Sequence, residues 1–154
     1  MKKALLFLLI FPNLAFATII AACSNPAGYA YFPNYGLIQE RDSGWTDDAI
    51  TGGITQLVQE ENGDFDIMVL DSTQTIYSSR NEGAMVIPFS FNESQVSVLV
   101  VFMGETVETY SFIKTASGKN EFLMTQNRTK GVIPKFSLYR GECSFVNLDF
   151  VNLD

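Results

Sequence analysis

The chain has 154 residues, enough for one domain with a real core, and a formal net charge of −7, which repels phosphate backbones and argues against nucleic acid as a partner. It contains no histidine, which removes Ser-His-Asp and Cys-His nucleophilic sites, the HExxH zinc site and every imidazole acid or base. Neither a GxGxxG nor a GxxxxGK[ST] pattern occurs, so no nucleotide cofactor is expected, and no cofactor of another kind is suggested.

The chain opens with Met1-Lys2-Lys3, an apolar run over residues 4–11, Pro12, and then Ala15 and Ala17. That layout predicts a signal peptide over residues 1–17, too short in its apolar part to span a bilayer, with Thr18 starting an exported domain. A rival reading takes Ile20-Ala21-Ala22-Cys23 as a lipobox, whose acylated cysteine would anchor the protein to a bacterial membrane. Acylating Cys23 leaves Cys143 as an odd thiol in an oxidising space, whereas cleavage after Ala17 leaves a matched pair. The preferred expectation is a Cys23–Cys143 disulfide, a periplasmic or extracellular location and no integral membrane segment after processing. Closing so long a loop is worth on the order of 4–5 kcal/mol in the chain-entropy model.

Residues 25–45 are dense in Pro, Gly, Tyr and Asn and predict an ordered loop region, with one extra strand conceivable over residues 29–33. The aromatics Tyr29, Tyr31, Phe32, Tyr35 and Trp45 would cap one end of the fold. The functional alternative is a binding rim of Tyr29, Tyr31, Tyr35, Asp42, Trp45, Asp47 and Asp48, offering amphipathic contact area and carboxylates to a cation or a sugar. Thr46 could cap one turn of helix, which Gly52-Gly53 would stop.

From Ile50 onward the pattern is all-β, with short Val, Ile, Phe, Tyr and Thr runs separated by turn residues. Residues 54–59 and 65–70 flank Asn62-Gly63, a strong hairpin signal. Residues 75–80 follow, then 84–89, where Pro88 indicates an edge or a bulge. Residues 95–103 are hydrophobic on both faces and are expected at the centre of the fold. In residues 105–115, Thr106, Glu108 and Tyr110 alternate with Val107, Thr109 and Ser111, which suggests a partly exposed strand. Ser117-Gly118 turns into residues 121–126, and residues 136–140 lead to Cys143. Seven or eight strands with short connections predict a single antiparallel all-β domain over residues 18–154, as a small barrel or a two-sheet sandwich.

The end carries an acidic tandem repeat, Phe145-Val146-Asn147-Leu148-Asp149 and Phe150-Val151-Asn152-Leu153-Asp154, too short for a structural unit. Its second copy is expected to extend a frayed terminus. Asn62, Asp64 and Asp66 begin like a calcium loop, but Ile67 stands where glycine is needed and Thr73 where glutamate is, so solvated acids on a hairpin are expected and no metal site. Ser72, Ser78 and Ser79 beside Arg80 read as turn and strand-surface residues.

The functional expectation is a non-enzymatic exported binding or structural protein. One alternative is an acidic inhibitor or immunity-like protein for a cationic hydrolase. Another is a carboxylate-dependent glycan hydrolase using Asp47, Asp48 or Asp71. The partner classes are thus a cationic protein or a glycan.

Overall fold

The computed structural model describes residues 17–70 and 75–151. Residues 1–16 of the expected signal peptide, Asp71, Ser72, Thr73 and the last residues of the tandem repeat lie outside the described residues.

Along most of the chain every second side chain is buried, the period of a strand with one face on a core. Ten strands result among the described residues: β1 (Thr18–Phe32), β2 (Gly44–Ala49), β3 (Ile54–Gln59), β4 (Phe65–Leu70), β5 (Ile76–Ser78), β6 (Met85–Asn92), β7 (Gln95–Phe102), β8 (Thr106–Lys114), β9 (Asn120–Arg128) and β10 (Lys135–Val146). They form one antiparallel sheet in the order β5-β4-β3-β1-β10-β9-β8-β7-β6, curled into a half-barrel. The all-β expectation therefore holds, with ten strands in a single curled sheet and not two stacked ones.

Local hairpins account for most of this order. Antiparallel pairing of consecutive strands makes the β3-β4-β5 and β6-to-β10 meanders, with the expected turns at Asn62-Gly63 and Ser117-Gly118. The two meanders are joined by β1. On one side β1 pairs with β10; on the other, its first half pairs with β3 and its second half with β2, which lie end to end.

The reading of residues 25–45 as loop is corrected here, because residues 25–32 continue β1 and Gly44 starts β2, leaving only residues 33–43 as connection. Pro26, with no N–H to give a ladder, sits where the β1–β10 register slips between Ser24 and Ala27, beside Asn25 at a φ of 49°. Gly28 follows where the strands press together: a Cβ there would lie 2.0 Å from the Leu138 carbonyl oxygen. Residues 46–49, where a helical turn was conceivable, are strand.

β7 buries Val96, Val98 and Val100 completely, yet it is next to the edge strand and not central; β10 holds the middle of the sheet. Pro88 does lie on an edge strand, and the β6–β7 register slips between Pro88 and Ser90.

Where the curl brings β4 toward β6, side chains complete the seam. The Arg80 guanidinium donates to the carbonyls of Phe65 and Val86, while the backbone N–H and hydroxyl of Ser79 both donate to the Ile67 carbonyl at 3.0 Å. Asp66 accepts from the Ser78 hydroxyl and, at 3.1 Å, from the Arg80 N–H. Asp66, Ser78 and Ser79 are thus buried structural groups, contrary to the solvated and surface roles expected of them.

One end of the concave face is closed by Phe112 and Phe122, stacked at 6.0 Å, with Ile20, Leu57, Phe65, Ile67 and Leu148 around them. Gly141 opposes Phe122, and a Cβ on it would strike the ring at 2.1 Å. Beside this packing the Cys23–Cys143 disulfide joins adjacent strands 120 residues apart in sequence. The first copy of the terminal repeat also belongs to this end: Val146 and Leu148 are buried, and the Asn147 side chain accepts from the Asp149 N–H.

Candidate functional site

Cross-strand register sets out the concave face in rows, since residues facing one another in successive strands share a face. One row runs Asp48, Gly28, Tyr139, Met124, Tyr110, Val98 across β2, β1, β10, β9, β8 and β7. The next runs Ala30, Ser137, Gln126, Glu108, Val100, and a third runs Lys135, Arg128, Thr106, Phe102. Polar groups therefore gather at the end away from the phenylalanine stack.

A cavity of about 390 Å³ opens there between the β3-β4-β5 and β7-β8-β9 walls. Val69, Tyr77, Phe102 and Met124 give it apolar sides, and Glu108 and Gln126 are among its polar lining residues, with Thr55, Ser79 and Glu82. Glu108 is only 9% exposed and accepts hydrogen bonds from the Tyr110 hydroxyl and the Gln126 amide, each at 2.7 Å. Burial, reinforced by the adjacent Glu108 charge and hydrogen bond, pushes the Tyr110 phenol well above its ordinary pKa, so it remains a donor. Among the described residues Glu108 has no ion-pair partner. Beside Gln126 in the same row, the buried Ser137 hydroxyl has no hydrogen-bond partner among the described residues.

A second polar group lies one row away. Asp48 accepts from the Tyr139 hydroxyl at 2.6 Å and from Lys135 Nζ at 2.9 Å, and Lys135 also donates to the Tyr139 oxygen at 2.8 Å. Tyr139 reaches across Gly28, which has no side chain to block it. Burial raises the Asp48 carboxyl, but the hydrogen bonds from Tyr139 and Lys135 and the Lys135 charge outweigh it and hold the group below the usual carboxylate range. Burial likewise lowers Lys135, and its bonds to Tyr139 and Asp48 reverse that shift and raise it.

The residues of the expected rim are divided between the two faces. Tyr29, Tyr31, Trp45 and Asp47 lie on the convex face, where the Tyr31 and Trp45 rings are 5.4 Å apart, whereas Asp48 points into the concave face. Tyr35 and Asp42 are exposed in the connection between β1 and β2. Asp47 and Asp48 face opposite ways and cannot flank one scissile bond. Among the described residues no group of three acids or cysteines is placed to hold a metal ion, and no helix is long and apolar enough to cross a membrane.

The Glu108, Tyr110 and Gln126 cluster was not singled out from sequence, because the alternation of Thr106, Glu108 and Tyr110 with Val107, Thr109 and Ser111 read only as a partly exposed strand, with no face assigned. The usable signal was the next residue in the same alternation, Phe112, which continues that face into the core. Comparison with protein-family models, with curated proteins and with solved structures finds no significant match.

Proposed function

We propose that this is an exported, non-enzymatic binding protein whose site is the cavity at the open end of the half-barrel. The observation that carries the reading is the cavity itself: apolar walls with a few convergent polar groups are the usual makeup of a small-molecule site. The back-to-back orientation of Asp47 and Asp48 removes that pair as the acid and base of a hydrolase.

Export with cleavage after Ala17 is supported by what surrounds Cys23. Its sulfur is engaged by Cys143, and residues 18–22 pair with β3 while Ile20 and Ala21 are completely buried. Lipobox processing would remove those residues from the sheet and the core. Intact mass of the exported protein tests this: a chain starting at Thr18 and lighter by two hydrogens is expected, and an added diacylglycerol would overturn it.

The binding reading is tested with a neutral apolar fluorophore. Uptake by the wild type, abolished in Val69→Trp with the circular dichroism spectrum unchanged, is the expected result. No uptake, or uptake indifferent to Val69→Trp, would overturn it.

A further inference from the structure

We infer that the ligand taken by this cavity is an organic cation with an apolar tail, its ammonium head seated on Glu108. This rests on the binding reading above and adds the ligand chemistry. A carboxylate has about four lone-pair sites, and Tyr110 and Gln126 occupy two of them, so Glu108 retains acceptor capacity at the cavity wall.

Among the described residues, no basic side chain of the concave face satisfies that capacity. Lys135 is bound to Asp48, Arg128 donates to the Ile133 carbonyl, and Arg80 is spent on the seam carbonyls and Asp64. A buried carboxylate whose side-chain donors, Tyr110 and Gln126, are neutral favours a positive charge brought from outside, and Glu82 is a second acidic residue lining the same cavity. The aromatic residues Tyr77, Tyr110 and Phe102 also line it, and aromatic rings attract ammonium groups. Val69 and Met124 extend the apolar surface that would hold a tail. The net charge of −7 draws cations toward the molecule as a whole.

The test titrates the full disulfide-bonded protein with octylammonium, octanol and octanoate, reading the methionine methyl resonances by nuclear magnetic resonance. Met124 lines the cavity, whereas Met85 and Met103 are exposed elsewhere and serve as internal controls. Octylammonium is expected to bind most tightly of the three, to shift Met124 and not the controls, and to weaken about tenfold in Glu108→Gln. Octanol binding at Met124 as tightly as octylammonium, with no change in Glu108→Gln, would overturn the cation inference and leave the cavity reading standing. Failure of every probe to move Met124 would overturn both. The wild-type series alone decides between these outcomes if Glu108→Gln does not fold.

Discussion

The two ends of the concave face are built from the same strands, yet one is packed shut and the other holds a void. In β8 and β9 the change takes only a few residues: Phe112 and Phe122 stack against Gly141 at the closed end, while Glu108 and Gln126 bond each other at the cavity. Tyr110 stands between, its ring 6.5 Å from Phe112 and its hydroxyl on Glu108. The closed end also carries the disulfide and the buried start of β1. Stability is thus concentrated where apolar area is buried without gaps, and the open end keeps polar groups whose burial costs free energy unless they are well paired.

If that division is correct, truncation at the closed end has the largest effect. Phe122→Ala should lose about 3–5 kcal/mol in urea unfolding, since the vacated space is bounded by the Phe112 ring and backbone and cannot collapse. A loss below about 1 kcal/mol would break the contrast.

The Asp48, Lys135 and Tyr139 group should give an intermediate effect with a pH signature. Asp48→Asn is expected to cost about 1–2 kcal/mol near neutrality, as for a hydrogen bond to a charged group. Because the folded-state pKa of Asp48 is depressed, its contribution is present above the unfolded-state value of about 4 and is lost as pH falls through the folded-state value. The stability difference between wild type and Asp48→Asn should therefore shrink in acid. A difference that stays constant from neutrality down to acid pH would show that the carboxylate charge contributes nothing there.

The smallest stability effect is expected at the cavity. Glu108→Gln keeps an oxygen for Tyr110, a turned-over Gln126 amide can accept from the new amide N–H, and a buried charge without an ion partner among the described residues is removed, so the unfolding free energy should stay within about 1 kcal/mol of the wild type. A loss above about 2 kcal/mol would make Glu108 a structural keystone and blur the two regions into one.

Legibility in the sequence differed between these regions for a physical reason. Hairpin turns and two-residue periodicity are local, so the strands from Ile54 onward and the edge placement of Pro88 could be read directly. β1 could not: Pro26 and Gly28 look like loop residues, and they are tolerated only because a register slip accommodates the proline and the close β10 backbone demands the glycine. Asp66, Ser78 and Ser79 were misjudged similarly, since their burial depends on the curl that brings β4 to β6. Trp45, expected to cap one end of the fold or to join a rim with Asp48, is instead 70% exposed on the convex face, apart from the Asp48 group.

By itself, then, the sequence determined the antiparallel all-β class and most strand positions, because alternation and turn chemistry are properties of the chain, and it favoured pairing of its two cysteines over a lipobox, a choice the bridged structure supports. Tertiary structure alone decided that β1 joins the two meanders, which face of β8 looks inward, and that Glu108, Tyr110 and Gln126 meet at a cavity. Those outcomes depend on cross-strand register and sheet curvature, which arise only when strands distant in sequence pair and bend around a shared core.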